Sequence, residues 1–323
     1  MRFVIYGAGA IGGTIGGRLS QHGHDAVLVA RGPHAAAIRD RGLRLVSPDD
    51  EATLRLPVVE HPRELTFAGD EVVILAVKSQ DTVAALAALG AVAPPEITLV
   101  CAQNGVANER EALRRIAHVV AMYVMMPAAH TEPGVVEVSS APISGVLDVG
   151  RYPKGSDERV TAIAAALSAA SFESLARPDV MRWKHKKLLT NLGNAVEAAC
   201  GRIQTEDAHA LVELARVEGR GVLTAAGIGV VSDEEEAERR GERLVSRPIG
   251  GKPRGGGSSW QSLTRGTGSI EADYLNGEIV LLGRLHGVAT PVNAMLQRTA
   301  NELARDRRPP GTLSARELLG RLR

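Results

Sequence analysis

Arg2-Phe3-Val4-Ile5-Tyr6-Gly7-Ala8-Gly9-Ala10-Ile11-Gly12 opens the chain, and its reading decides the fold. The apolar run Phe3 to Tyr6 predicts a buried strand. It passes directly into a G-x-G-x-x-G turn, and a helix over Ile11 to Gln21 follows. Such a turn aims backbone N–H groups and the positive end of the helix at a crevice where a pyrophosphate can sit. Gly7 makes the tight turn, Gly9 lets a diphosphate approach the backbone, and Gly12 lets the helix pack closely on the strand. A second strand, Ala26 to Ala30, ends about twenty residues further on, where this kind of unit reads the adenosine ribose. It ends in Arg31. An acid there favours NAD and an arginine favours NADP; Arg31 otherwise reads as a solvated loop cation beside Gly32-Pro33.

The surrounding composition narrows the class. A chain of 323 residues, 44% of them apolar, can bury a large core and has room for two domains. Its 38 Lys and Arg nearly balance its 37 Asp and Glu, so no strong field draws nucleic acid or an anionic membrane. Cys101 and Cys200 have no metal-binding spacing, and no structural metal is expected. No apolar run reaches the about eighteen residues that a membrane span needs. The first strand begins at once after Met1, without the pattern of a secretion signal, and the expectation is a cytoplasmic protein.

The first half alternates short apolar strands with helical segments, as in a parallel sheet covered on both faces. Glu71–Val77 and Ile97–Cys101 are the clearest later strands, with a helix over Thr82–Leu89 between them. Val119–Met125, 134–138 and Ile143–Val149 read as strands that extend the same sheet. A helix over Asp157–Ala170 and an edge strand over Ser171–Leu175 follow. Beyond Pro178 the sequence turns helical: Asp179–Ala199, Ala208–Ala226, Ile270–His286 and Pro291–Asp306. The predicted fold is therefore α/β, a Rossmann-type doubly wound parallel sheet over 1–177 joined to an all-α domain over 178–323. Asp233–Arg243 reads as a solvated, charged helix face. The glycine-rich run from Ile249 to Gly257 reads either as a linker or as a mobile lid that delivers Ser258 and Ser259 to a crevice.

At roughly 100° per residue, the helix around Lys187 places Leu188, Leu189, Leu192, Ala195, Val196 and Ala199 on one apolar arc. Lys184, Lys187, Asn191 and Asn194 fall on an adjoining arc, with Lys186 and Glu197 pointing away from both. Asparagine is a poor residue for mid-helix, so two of them beside a buried face point to specific hydrogen bonds.

Several separate motifs then carry a resemblance to the ketopantoate reductase family. They are Gly7 to Gly12, Arg31, Val77-Lys78, Gln103-Asn104-Gly105, Trp183 with Lys187 and Asn191, Ser259, Glu271 to Gly277, and His286 to Pro291. The resemblance implies an N-terminal Rossmann domain, a helical C-terminal domain, and reduction of 2-dehydropantoate with NADPH on the route to pantothenate and coenzyme A. It implies that Lys187 is the general acid, an ammonium that stabilises and protonates the keto oxygen, its pKa lowered by desolvation. Glu271 would bind the substrate hydroxyl, Asn191 and Asn194 would hydrogen-bond substrate, and Ser259 would face its carboxylate. Gly7, Ala8, Gly9, Ala10, Ile11, Gly12, Arg31, Lys78, Asn104 and Glu271 would form the cofactor set. Taken alone, Asn104-Gly105 is also a turn signal and Lys78 an ordinary strand end.

One position departs from the family pattern. The second asparagine stands four residues after the first in that family, and here position 195 is alanine, leaving Asn194 as the nearest amide. With the bulky Met122 to Met126 stretch, this keeps a related 2-keto acid or an imine open as substrate. A nucleotide sensor without turnover would have no need of Lys187, Asn191, Ser259 and Glu271 together. Leu281-Leu282 suits either a homodimer interface or internal core.

Overall fold

The computed structural model describes residues 1–251 and 255–322. The strands are β1 (Arg2–Tyr6), β2 (Asp25–Val29), β3 (Leu43–Val46), β4 (Glu51–Leu54), β5 (Val58–Val59), β6 (Val72–Leu75), β7 (Thr98–Cys101), β8 (His118–Met125), β9 (Ala128–Ala129), β10 (Val135–Val138), β11 (Ser140–Pro142), β12 (Gly145–Arg151), β13 (Phe172–Glu173) and β14 (Leu244–Ser246). Helices α1 (Ala10–Gln21), α2 (Gly32–Arg41), α3 (Thr82–Gly90), α4 (Asn108–Leu113) and α5 (Glu158–Ala169) alternate with the strands. Then come α6 (Val180–Asn191), α7 (Gly193–Cys200), α8 (Glu206–Ala225), α9 (Asp233–Arg240), α10 (Ser258–Thr264), α11 (Asn276–His286), α12 (Pro291–Arg305) and α13 (Ala315–Gly320).

Two compact units divide the chain. The first comprises Met1–Gln103, Asn108–Trp183 and Ser232–Arg254; the second comprises Asn104–Ala107, Lys184–Val231 and Gly255–Arg323. No single cut in the sequence separates them.

The first unit is built on an eight-stranded sheet in the order β13-β12-β8-β7-β6-β1-β2-β5. From β5 to β8 every neighbouring pair is parallel, β12 pairs antiparallel with β8, and β13 pairs parallel with β12. Chain order reverses at β1, which has β2 on one side and β6 on the other. That makes the carboxyl end of β1 the switch point at which such sheets bind ligands. The alternation of the strands separates two cores: Phe3, Ile5, Val72 and Ile74 pack on one face, and Val4, Val27, Val73 and Leu75 on the other.

A second sheet, β4-β3-β10-β9, covers the outer side of α1. The residues 134–138, read from sequence as extending the main sheet, instead form β10, which pairs parallel with β3. A short apolar strand fits any half-buried edge, and its sequence does not name its neighbour.

Helix α1 lies between the two sheets, which explains its unusual glycines. A β-carbon on Gly16 would stand 2.7 Å from Leu28 and 2.9 Å from Ile5 of the main sheet. On Gly13 it would stand 2.8 Å from Val136, and on Gly17 2.7 Å from Leu45, both of the second sheet. Each glycine in a helix interior costs about 1 kcal/mol relative to alanine, and close packing on both faces offsets that cost.

Helix α9 has no fully buried residue, with Glu236 and Arg239 half-buried and the others exposed, and its N-terminus is closed by a Ser232–Glu235 capping box. It nevertheless reaches inward. Asp148 on β12 is fully buried and accepts from Arg239 Nε at 2.8 Å and Nη2 at 2.6 Å, from Arg177 Nε at 2.5 Å and from the Leu175 N–H at 3.0 Å. Arg239 also donates to Glu173 at 2.9 Å. Arg177 lies 4.0 Å above the Trp183 ring, Tyr123 meets the same ring edge-on, and the Tyr123 hydroxyl donates to Glu236 at 3.2 Å. Burial, with the Glu236 carboxylate beside it, pushes that phenol above its ordinary pKa. Strand β14 then pairs with β11, so 232–251 belongs to the first unit although its sequence lies among the helices.

The single helix read over Asp179–Ala199, most of it in the second unit, is divided into α6 and α7 at Leu192, whose backbone stays helical at φ −59° and ψ −28°. That read over Ile270–His286 is likewise a short 3-10 turn, Glu271–Tyr274, followed by α11. Leu188, Leu189, Leu192, Ala195, Val196 and Ala199 are buried as the wheel predicts. Glu218 of α8 accepts the N–H groups of Val292 and Asn293 at 2.8 and 2.9 Å and so closes the start of α12, while Gly219 makes room for Leu189 and Leu192. Leu281 is half exposed, at 48%. No helix among the described residues is long and apolar enough to cross a membrane.

Candidate active site

In the first unit the G-x-G-x-x-G turn stands at the carboxyl end of β1. Gly7 has φ +103°, and a β-carbon there would strike the Val77 nitrogen at 2.7 Å. A β-carbon on Gly12 would lie 2.2 Å from the Gly7 carbonyl oxygen. Both positions accept only glycine. Gly9 differs: nothing lies within 4 Å of its would-be β-carbon. Gly9 is also the N-cap of α1, with no side-chain cap and no acid in the first turn. Open space beside uncapped N–H groups suits a diphosphate, so the residues present fit a dinucleotide.

Arg31 follows β2 as the extended N-cap residue of α2. It is exposed; its carbonyl accepts the Ala35 N–H at 3.5 Å, and its side chain makes no ion pair or hydrogen bond among the described residues. Lys78 stands at the N-cap of a 3-10 turn after β6. Behind it runs a side-chain chain that sequence reasoning did not find: Gln103 Nε2 donates to the Val77 carbonyl at 2.9 Å and to Thr82 Oγ1 at 2.8 Å, Thr82 Oγ1 donates to Asn108 Oδ1 at 2.8 Å, and Asn108 Nδ2 donates to Ser79 Oγ at 3.2 Å. These residues tie the ends of β6 and β7 together.

In the second unit Lys187 is half-buried on α6, one helical turn before Asn191. Asn191 is only 7% exposed, and its side-chain oxygen accepts no hydrogen bond among the described residues. An amide so placed costs free energy unless a ligand satisfies it. Ser259 and Glu271 are buried as well, at 3% and 5% exposure. Ser258, beside Ser259 in the first turn of α10, donates to Glu271 Oε2 at 3.2 Å.

Glu197 does not point away, as continuous helical angles from Lys187 would place it. Its carboxylate accepts the Gly257 N–H at 2.8 Å, because α10 packs against α7 on the flank that Glu197 shares with Asn194. A β-carbon on Gly257 would stand 2.6 Å from Glu197 Oε2 and 3.7 Å from Asn194 Oδ1. Asn194 and Glu197 therefore face the start of α10, while Ala195 is buried in the core. Gly256 packs against Trp260; Lys252, Pro253 and Arg254 of the expected lid lie outside the described residues. Asn104 belongs to the second unit, and its neighbour Gly105, at φ +79°, has the Tyr274 carbonyl 2.9 Å from its would-be β-carbon. The second unit thus holds Lys187, Asn191, Asn194, Ser259, Glu271 and Asn104; the first holds Gly7 to Gly12, Arg31 and Lys78.

Sheet order, switch point and glycine turn define a Rossmann-type protein with an added helical unit. Comparison with known proteins makes this more specific. The family described as ketopantoate reductase PanE/ApbA matches residues 3–154, and its C-terminal part matches 179–304. A 2-dehydropantoate 2-reductase of Halobacterium salinarum is 32% identical over 306 residues, covering 90% of this chain and 95% of the relative. The crystal structure of a PanE/ApbA family ketopantoate reductase from Ralstonia eutropha superposes with a TM-score of 0.80 at 27% identity, over 95% of this chain and 99% of that one. D-mandelate dehydrogenase in complex with NADH and anilino(oxo)acetate shares the fold, with a TM-score of 0.81 at 22% identity over 95% and 99% of the two chains. The chain belongs to the ketopantoate reductase family and is an oxidoreductase acting on CH–OH groups, of the 2-dehydropantoate 2-reductase type.

Proposed function

We propose that this protein reduces 2-dehydropantoate to pantoate with NADPH, with Lys187 as the general acid, in the synthesis of pantothenate and coenzyme A. The observation that carries the reading is the buried, unsatisfied amide oxygen of Asn191 one turn from Lys187, in the unit that also buries Ser259 and Glu271. The nicotinamide, when bound, supplies a hydride. Negative charge then grows on the keto oxygen, and the Lys187 ammonium stabilises it and gives up its proton there. The Glu271 carboxylate accepts a hydrogen bond from the substrate hydroxyl. Asn191 and Asn194 fix the substrate's orientation through their amides, and Ser259 donates to its carboxylate. Gly7 to Gly12 would hold the diphosphate, with Lys78, Asn104 and Glu271 completing the cofactor set.

The Arg31 guanidinium, which has no hydrogen-bond or ion-pair partner among the described residues, supports the 2′-phosphate of NADPH as its ligand. Arg31→Ala is expected to raise the NADPH KM about tenfold or more, the cost of losing a charge-assisted hydrogen bond. NADH kinetics should stay within about twofold, and equal losses for both cofactors would remove Arg31 from this role.

The test of the whole reading is the consumption of NADPH by purified protein given 2-dehydropantoate, beside NADH and a panel of other 2-keto acids and imines. The panel includes a phenyl-substituted 2-keto acid, the carbonyl counterpart of mandelate. Fast turnover of 2-dehydropantoate alone is the expected result. Faster turnover of another keto acid would reassign the substrate, with Ala195 and the Met122 to Met126 stretch as the places to look. The protein would act in the cytoplasm, and the exposed Leu281 and Leu285 on α11 would suit a homodimer.

A further inference from the structure

His34, in the first turn of α2, is 9% exposed, and both of its ring nitrogens are engaged inside the first unit. Nε2 lies 2.7 Å from the carbonyl oxygen of Ala8, and Nδ1 lies 2.9 Å from the Gly134 nitrogen. A backbone N–H can only donate, so Nδ1 is the acceptor, and the ring proton must sit on Nε2 and point at Ala8. The tautomer is therefore fixed by the partners. Burial also holds this ring below the ordinary histidine pKa, against the opposing pull of the Ala8 carbonyl, which keeps the neutral form at neutral pH. The His130 ring packs against it at a tilt of 52°, with centroids 4.2 Å apart.

Ala8 lies between Gly7 and Gly9 in the glycine-rich turn. Its N–H is held by the Val29 carbonyl at 3.3 Å, as that of Gly7 is at 3.0 Å. Its carbonyl belongs to the same planar peptide as the Gly9 N–H, and in a trans peptide these two groups point in opposite directions. A ring that holds the Ala8 oxygen on one side therefore aims the Gly9 N–H to the other. Gly134, the far end of the tether, is itself anchored, since its carbonyl accepts the Arg44 N–H at 2.8 Å at the edge of the second sheet.

We infer that His34 is a positioning residue for the dinucleotide: it braces the Ala8–Gly9 peptide against the second sheet so that the Gly9 N–H is already aimed at the diphosphate before binding. The group never touches the substrate or the reacting atoms. Without it the Ala8–Gly9 peptide is held only from its two ends, by the Ala8 N–H on Val29 and the Gly9 carbonyl on the Gly13 N–H, and the binding of a diphosphate must then complete its ordering. The inference rests on the dinucleotide reading of the turn.

The test compares the parent protein with His34→Phe, which keeps a ring to pack against His130 and removes both hydrogen bonds, and with His34→Gln, whose amide can donate to Ala8 and accept from Gly134. NADPH affinity is measured by calorimetry, and kcat and the keto-acid KM are measured at saturating NADPH. The expected result is an about tenfold rise in NADPH Kd for His34→Phe, with kcat and keto-acid KM within about twofold of the parent, and recovery of most of the loss in His34→Gln. A parent-like Kd in His34→Phe overturns the inference, and so does a fall in kcat together with a higher keto-acid KM in both variants, which is general loosening of the unit. If His34→Phe does not fold, His34→Gln decides: near-parental affinity supports the brace, and a tenfold loss in a folded protein overturns it. A parent that binds neither NADPH nor NADH overturns the dinucleotide reading itself, which separates that failure from the failure of His34's role.

Discussion

Lys187→Ala is expected to lower kcat about a hundredfold or more, the usual contribution of a positioned general acid, while NADPH affinity stays within about twofold of the parent. The chemistry demands such a group because hydride addition leaves an alkoxide, and water in a partly closed site is a poor proton donor at neutral pH. The limb of the pH profile that reports the acid should vanish in the variant. Single-turnover measurement at saturating NADPH and keto acid gives the number directly. A loss below tenfold would mean that another group protonates the oxygen, and it would remove Lys187 from the mechanism without touching the fold or the family.

The second large effect is on stability. Asp148 is fully buried between two arginines whose side chains are 20% and 10% exposed. Asp148→Asn keeps the shape and deletes the only charge that both arginines share. Breaking a buried pair from one side costs about 3–5 kcal/mol because the remaining charges lose their compensation, which corresponds to a fall in Tm of roughly 10 °C. Thermal unfolding followed by circular dichroism measures it. Arg239→Met should cost less, since Asp148 keeps Arg177 and the Leu175 N–H. A change below about 1 kcal/mol in Asp148→Asn would show that water screens the cluster.

How far the sequence reaches can be judged at these same residues. Strand β1, its glycine turn, α1 and β2 are legible because the apolar period, the glycines and the chain lengths are all local. The buried arc of α6 and α7 is legible for the same reason. Membership of a sheet is not local, so β10 reads as a strand but not as the partner of β3. Glu197 reads as a residue facing away because its partner, the Gly257 N–H, stands 60 residues further along the chain. Asp148 is invisible as a site, because an acid in the strand Gly-Val-Leu-Asp-Val looks like an edge residue until Arg177 and Arg239 arrive from positions 29 and 91 residues away. His34 offers no pattern either, since both of its partners are backbone groups. The candidacy of Lys187, Asn191, Ser259 and Glu271 as site residues rests on resemblance more than on spacing.

The placement of Ser232–Arg254 in the first unit bears on the order in which the protein can be finished during synthesis. The dinucleotide unit is the first to begin leaving the ribosome, yet no contiguous stretch of chain consists of it alone. Until Arg239 emerges, Asp148 has only Arg177 for a counter-charge, and until β14 emerges β11 has no strand beside it. By then α6, α7 and α8 have already been made. The nascent chain must therefore hold its nearly complete Rossmann unit open to a late segment, and a truncation between Arg177 and that segment leaves a unit with a buried acid half compensated.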